Sequence, residues 1–344
     1  KTFETARYGR TGTSTTFDFQ SAMAAISHTE SCIATSCGLS ACTAVISAFA
    51  SSKKKIILQR NIYGPVTTFA ENELKKRGVH IEYFESTQEL ERIITPNTTL
   101  IFIEIPTSLT MKLLDVSAVA NIASKHSIPL ACDATWGTPL FFDAHQLGIN
   151  ITIHAVTKYI NGHSDVMLGA ITGTYAALEK VRIFSERHGN FAAPDSCWLA
   201  LRGLRTLSVR LARHQENSLF VANFLQNQLQ VKDVFFPALP TSPYYDLWRK
   251  QFSGAAGPFT IELVSCSEVQ FENFINSLEL FSLGTSWGGF ESLVMPAIAH
   301  DLRGKHVLPN DNRLVRLHIG LEDKLDLCDD LANALNMLTD EKDI

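Results

Sequence analysis

The chain reads as an α/β protein with a mostly parallel central sheet, helices on both faces, and a smaller C-terminal α+β domain. Three observations predict this. From about residue 30 to residue 173, short apolar runs alternate with helical patterns, the rhythm of strand–helix–strand units. Runs such as Leu100-Ile101-Phe102-Ile103 are apolar on consecutive residues, as strands are when helices cover both faces of a sheet. After about residue 174 the rhythm gives way to long helical stretches and a proline-marked loop.

The elements follow in order. Strands are expected at 32–35, 55–59, 80–84, 99–105, 128–132, 151–155 and 167–173, each a short apolar run. Between them, 39–50, 67–77, 89–94 and 117–126 carry helical patterns. Residues 175–188 and 195–228 are largely helical, and the second stretch is long enough to bridge two domains. Pro237, Pro240 and Pro243 mark a loop. The remainder offers strands at 259–265 and 314–318 and helices near 267–279 and 323–339.

At 344 residues the chain exceeds one ordinary core, which favours two domains. A hydrophobic content of 45% with 19% charged residues describes a soluble globular protein. The net charge of −5 argues against a nucleic-acid binder. Lys53, Lys54 and Lys55, the compact basic run, read as a solvated loop before a strand. No apolar run has membrane-span length and no signal-peptide pattern is present, so the expectation is a cytoplasmic protein without a membrane partner. Seven cysteines without a Cys-x-x-Cys pair read as mostly buried thiols. With no His-Glu-x-x-His helix either, no metal site is expected.

The most informative stretch runs from His154 to Gly169. It places Lys158 just after an apolar strand and Thr157, ahead of a Gly-rich polar turn. A lysine there is costly unless its amine is neutralised, paired or used covalently. Alone, Lys158 would read as a side chain snorkelling from a strand end. It does not stand alone. Ile128-Pro-Leu-Ala-Cys-Asp133 is an apolar strand ending in a carboxylate, and ligands of α/β sheets bind beyond the carboxyl ends of strands. Asp133 could hold a pyridine nitrogen protonated or cap a helix. Ser36-Cys37-Gly38-Leu39-Ser40 opens a helix whose first N–H groups suit a phosphate, and Thr157 could add a hydroxyl. Lysine, acid and phosphate turn together fit pyridoxal 5′-phosphate.

Longer motifs carry a resemblance. They are Tyr8-Gly-Arg10-Thr-Gly, Cys132-Asp133-Ala-Thr-Trp136, Thr157-Lys158-Tyr159, Gly162-His-Ser-Asp165, Arg202-Gly-Leu-Arg-Thr-Leu207, Ser286-Trp-Gly-Gly289 and Arg316-Leu-His-Ile-Gly-Leu-Glu-Asp323. In these the chain resembles the transsulfuration (Cys/Met metabolism) group of pyridoxal-phosphate enzymes from about Tyr8 to Leu338, most closely its bacterial β-lyase branch. The resemblance implies the fold-type I transferase-like architecture. It makes Lys158 the Schiff-base lysine and proton carrier, and Asp133 the pyridine-nitrogen partner. Gly38, Leu39 and Thr157 become phosphate contacts, and Tyr63 a catalytic ring stacked on the cofactor. Arg316 becomes the grip on the substrate α-carboxylate, with Ser286 and Trp287 beside it. It also implies that Tyr8 and Arg10 reach the cofactor phosphate of a neighbouring subunit, within a homotetramer built as a dimer of dimers with shared active sites. The domains implied are an N-terminal arm over 1–12, a large cofactor domain over 13–204 and a C-terminal domain over 205–344.

Departures from the family pattern are Ala134, where asparagine is usual, and Ala155, where serine is frequent. The Thr107-Ser108-Leu109 sequence after Glu104-Ile-Pro106, and Thr285-Ser286-Trp287-Gly288-Gly289-Phe290, favour the β-lyase branch. His163 and Asp165 are read as ordering the turn after Lys158, His154 as a packed neighbour and Trp136 as a wall. The expected reaction is β-elimination of the sulfur amino acid L-cystathionine to homocysteine, pyruvate and ammonia in methionine biosynthesis, with cysteine or cystine desulfhydration as a companion activity. A γ-acting relative and a non-catalytic cofactor-binding homologue are the alternatives.

Overall fold

The computed structural model describes residues 8–298 and 313–338. Residues 1–7 of the expected arm lie outside the described residues, as do 299–312 and 339–344 of the expected C-terminal domain.

Residues 8–173 build the first sheet and its layers. Its strands are β1 (Ser31–Thr35), β2 (Lys55–Gln59), β3 (His80–Phe84), β4 (Thr98–Glu104), β5 (Leu130–Asp133), β6 (Ile151–Ala155) and β7 (Gly169–Gly173), in spatial order β1-β7-β6-β5-β4-β2-β3. Strands β2 to β6 pair in parallel, whereas β7 runs antiparallel to both β1 and β6. The 156–168 connection between β6 and β7 is made of turns and carries no helix, and the chain doubles back. That connection carries Lys158.

The helices are α1 (Ser14–Ile26), α2 (Gly38–Phe49), α3 (Gly64–Phe69), α4 (Thr87–Ile93), α5 (Val116–Lys125), the single turn α6 (Thr138–Phe141) and α7 (Tyr175–Arg187). The continuous apolar strands do serve two layers. Ile33, Ile56, Leu58, Phe102 and Ile153 share one cluster with Val45 of α2, Val66 of α3 and Val181 of α7. Their neighbours Cys32, Ala34, Ile57, Ile101 and Cys132 share another with Phe19 and Met23 of α1 and Val119 of α5. Fully burying each such large aliphatic or aromatic side chain contributes roughly 1.5–3 kcal/mol.

The expected helix at 195–228 is two helices, α8 (Pro194–Leu204) and α9 (Leu207–Leu225). The break has a cause: Gly203 lies against the Ile160 and Asn161 carbonyls, and Thr206 N–H turns back to the Gly203 carbonyl at 3.1 Å. The helix expected from residue 67 starts at Gly64, because Pro65 at its first turn is a starter, not a breaker. It then widens into a π turn and tightens into a 3₁₀ turn that ends at Gly78, φ +76°.

The second sheet has β8 (Val231–Phe235), β9 (Pro258–Leu263), β10 (Ser282–Leu283), β11 (Leu293–Ile298) and β12 (Arg313–His318), ordered β10-β11-β12-β9-β8. All pairs are antiparallel except β10 with β11. Three further helices, α10 (Tyr245–Gln251), α11 (Glu268–Ser277) and α12 (Lys324–Leu335), complete the described chain. Val315 and Leu317 of β12 join the core with Leu327 and Leu331 of α12. Leu314, on the other face, packs with Leu109 beyond the end of β4. Trp136, read as a wall, is buried and donates from its indole to the Pro258 carbonyl at 3.0 Å. These contacts press the face of β12 that holds Arg316 toward the carboxyl end of the first sheet.

Candidate active site

The carboxyl ends of β4, β5 and β6 deliver Glu104, Asp133 and the Lys158 turn to one place. Lys158 Nζ donates to Ser286 Oγ at 2.6 Å and lies 5.3 Å from the centre of the Trp287 ring. Burial, helped by Arg316 and opposed by Asp133, lowers its amine from the ordinary 10.5 to about 8. The following turn is tied down: Arg210 donates to the carbonyls of Tyr159 at 2.6 Å and Gly203 at 2.8 Å. His163 Nδ1 donates to the Asn161 carbonyl, and Asp165 accepts from the Asn161 amide at 2.8 Å. Both order the turn, as the sequence reading expects.

Asp133 is half-buried, and its Oδ1 accepts from Thr135 N at 3.0 Å and Thr135 Oγ at 2.5 Å; Cys42 Sγ lies 3.7 Å from Oδ2. Glu104 stands opposite it on β4. Two half-buried carboxyls side by side share one charge between them. Burial first and Asp133 second raise Glu104 to about 8, and burial raises Asp133 too, opposed in part by Thr135, Cys42 and Lys158. Glu104 also accepts the Tyr63 N–H at 2.5 Å and lies 2.7 Å from Ser108 Oγ. That contact fixes the start of α3, from which the half-exposed Tyr63 ring rises. In the sequence Glu104 serves only as a branch marker; its place as a carboxylate ending an apolar strand was the available signal.

At the third corner, Cys37 caps α2 by accepting the Ser40 N–H at 3.3 Å. A Cβ on Gly38 would sit 2.6 Å from the Ala155 methyl, so this turn needs glycine. The first-turn N–H groups of Gly38 and Leu39 have no intrahelical acceptor, and they suit a phosphate. Thr157 lies two residues beyond Ala155, the neighbour of Gly38, but its hydroxyl is engaged with Leu168, donating to O at 3.2 Å and accepting from N at 2.9 Å.

Arg316 is half-buried, and its loss of water lowers its guanidinium to about 10. Among the described residues it has no carboxylate partner; Nη2 donates to the carbonyls of Thr285 at 2.8 Å and Ser286 at 3.0 Å. A half-buried guanidinium held by carbonyls alone among the described residues is ready for an anionic ligand. Tyr8 and Arg10 are elsewhere. Tyr8 is exposed, and Arg10 donates to the Glu186 carbonyl at 3.1 Å with its guanidinium 5.5 Å from the Tyr8 ring.

An amine lowered toward neutrality, a half-buried acid without a cationic hydrogen bond among the described residues and a helix N-terminus fit an aldehyde, a ring nitrogen and a phosphate respectively. The family model described as "Cys/Met metabolism PLP-dependent enzyme" matches residues 1–336. The chain belongs to this family. Its cofactor is pyridoxal 5′-phosphate, and its members include carbon–sulfur lyases. This family member is 37% identical over 331 residues to the cystathionine β-lyase of Bordetella avium, covering 96% of this chain and 83% of that protein. It is 36% identical over 339 residues to the L-alanine/L-glutamate racemase of Wolbachia pipientis wMel, with the same coverage. Among solved structures, cystathionine γ-lyase from Lactobacillus plantarum in complex with L-serine matches with a TM-score of 0.90 at 27% identity, over 96% of this chain and 88% of that one.

Proposed function

We propose that this enzyme cleaves L-cystathionine by β-elimination, giving homocysteine, pyruvate and ammonia in methionine biosynthesis, with desulfhydration of cysteine or cystine as a companion activity. The observation that carries the reading is the lone amine of Lys158, lowered to about 8, in the same crevice as a guanidinium without a carboxylate partner among the described residues. Pyridoxal phosphate, when bound, supplies the aldehyde that captures the substrate amine and the ring that accepts electrons from Cα. Gly38, Leu39 and Thr157 would hold its phosphate, Thr157 by turning its hydroxyl from Leu168, and Asp133 would face its ring nitrogen.

The protein's own groups do the rest. Arg316, with Ser286 and Trp287 at its side, grips the α-carboxylate and aligns the Cα–H bond, while Tyr63 walls the ring. Neutral Lys158 takes the Cα proton. The Cβ–S bond then breaks with its electron pair on sulfur, and the Lys158 ammonium protonates the departing homocysteine thiolate. Water enters the remaining three-carbon fragment, which leaves as pyruvate and ammonia. One amine serves both proton transfers. The β-lyase-like sequences around Ser108 and Trp287 support this regiochemistry.

We place this chemistry in a cytoplasmic homotetramer, with the chain divided into the 1–12 arm, the 13–204 cofactor domain and the 205–344 domain. A second reading follows from the racemase relative: Lys158 returns the proton to Cα instead of expelling sulfur. One assay separates the readings. Incubation with L-cystathionine is expected to yield pyruvate. 2-Oxobutyrate would reassign the reaction to γ-elimination, D-alanine or D-glutamate from the L-isomers would make it a racemase, and no turnover would make it a non-catalytic homologue. Lys158→Ala is expected to lose about a thousandfold in kcat/KM, within the range general acid–base catalysis contributes.

A further inference from the structure

The Gly162-His-Ser-Asp165 turn leaves one member without a part. His163 and Asp165 bond within the turn, whereas Ser164 reaches another segment. Its φ of +56° is a left-handed backbone that serine seldom adopts, and such conformations persist where the surroundings impose them. The Ser164 hydroxyl lies 2.6 Å from Glu291 Oε1 and 2.9 Å from Oε2. A carboxylate only accepts, so the serine donates, and the shorter contact has the length of a charge-assisted O–H···O⁻ bond.

Glu291 belongs to the 284–292 loop that joins β10 to β11 and carries Ser286 and Trp287. Both ends of that loop are anchored to their own sheet. At the start, Gly284 N–H donates to the Val294 carbonyl at 3.0 Å. At the finish, Leu321 N–H donates to the Phe290 carbonyl at 2.8 Å, and Glu322 accepts Ser292 N–H at 2.7 Å and its hydroxyl at 2.9 Å. Between the anchors, Thr285 and Ser286 present the carbonyls that hold Arg316. Two side-chain links join the loop to the Lys158 turn among the described residues. One, Lys158 to Ser286, engages the amine that the proposed chemistry must free. The other, Ser164 to Glu291, engages no reacting group.

Gly289 gives an independent sign. It is not among the glycines with positive φ, so its backbone suits any residue. Yet a Cβ there would overlap Ser164 Oγ and lie 2.5 Å from Glu291 Oε2. Both atoms are side-chain ends, so an alanine at 289 is admitted at the expense of the bond without moving the backbone.

We propose that the Ser164–Glu291 hydrogen bond is a latch that fastens the 284–292 loop to the Lys158 turn, and so holds the carboxylate grip of Arg316 in register with the Lys158 amine. Ser164 and Glu291 are positioning residues that act through Ser286 and Arg316. The part played in substrate binding rests on the lyase reading; the latch itself does not.

Amide hydrogen exchange of the 284–292 segment, read by mass spectrometry on the holoenzyme, follows the latch directly. Ser164→Ala and Glu291→Ala are each expected to speed exchange there about tenfold. Each is also expected to raise KM for cystathionine about tenfold with kcat changed less than about threefold, the split that a loosened grip produces. The double variant is expected to be no worse than either single one, because one bond is broken only once. Glu291→Gln, whose amide oxygen still accepts the Ser164 hydroxyl, is expected to recover most of both effects. Gly289→Ala is expected to reproduce the Ser164→Ala effect and to add nothing to the double variant. Additive effects, unchanged loop exchange, or a loss confined to kcat would overturn the latch. Should the alanine variants at 164 and 291 not fold, the remaining two decide: Gly289→Ala impaired with Glu291→Gln near the parent is expected, and the reverse order overturns it. Faster loop exchange in an enzyme that forms no pyruvate would leave the latch standing and remove the substrate assignment. Pyruvate formation with parent-like exchange in every variant would remove the latch alone.

Discussion

At the scale of single residues, the site is governed by what burial does to charge. Lys158 is lowered chiefly because its ammonium loses water, with Arg316 adding repulsion and Asp133 opposing both. The signs can be read separately in cofactor-free protein, where labelling of Lys158 by an amine-reactive reagent follows the neutral fraction. The midpoint is expected near pH 8; Arg316→Leu should move it up and Asp133→Asn should move it down. A midpoint at the ordinary 10.5, or shifts of the opposite sign, would remove the electrostatic account of the base. Residue identity explains why Lys158 and Asp133 were legible in the sequence: an ionisable group ending an apolar strand needs a reason to be there. Glu104 ends a strand as well, yet its meaning depends on standing beside Asp133, and strand pairing is not written in the local sequence. Arg316 was reached only through the family resemblance, since nothing near it in the chain points to a crevice built far upstream.

At the scale of elements, the strand–helix rhythm of residues 30–173 was legible because period and composition change sharply at each boundary. What escaped were elements set by tertiary contact. The α1 helix opens on Ser14-Thr-Thr and shows little apolar face before it packs on β1, and the edge strand β8 has two exposed residues at its centre. The α8–α9 break likewise reflects the Lys158 turn lying against Gly203. That turn is itself an element with a testable keystone. Gly162 has φ +72°, and a Cβ there would overlap the Arg210 guanidinium, which bonds to Tyr159, Ile160 and Gly203. Gly162→Ala combines a left-handed strain of about 1–3 kcal/mol with displacement of that guanidinium. A thermal melt of the apoprotein is expected to fall by several degrees, and an unchanged melt would mean that the turn accommodates a side chain.

At the scale of the whole molecule, the single chain leaves apolar side chains in water that a globular monomer usually covers. Met167 is 64% exposed, Trp198 59% and Val209 72%, and Met167 adjoins Leu168, the partner of Thr157. Tyr8 and Arg10 lie at the surface without a hydrogen bond to any residue of their own site. Both facts are accounted for if a second copy covers these side chains and lends its Tyr8 and Arg10 to the cofactor phosphate, the arrangement the family resemblance implies. The idea can be tested without locating the interface. A Lys158→Ala chain lacks its own base but still offers Tyr8 and Arg10; a Tyr8→Ala/Arg10→Ala chain keeps Lys158 but has nothing to lend. Each alone is expected to be nearly inactive. Unfolded together in equal amounts and refolded, half of the two-fold pairs are mixed, and each mixed pair holds one complete site, so about a quarter of wild-type activity should return. If the site were instead completed within one chain, every site would carry one defect or the other, and mixing would restore nothing.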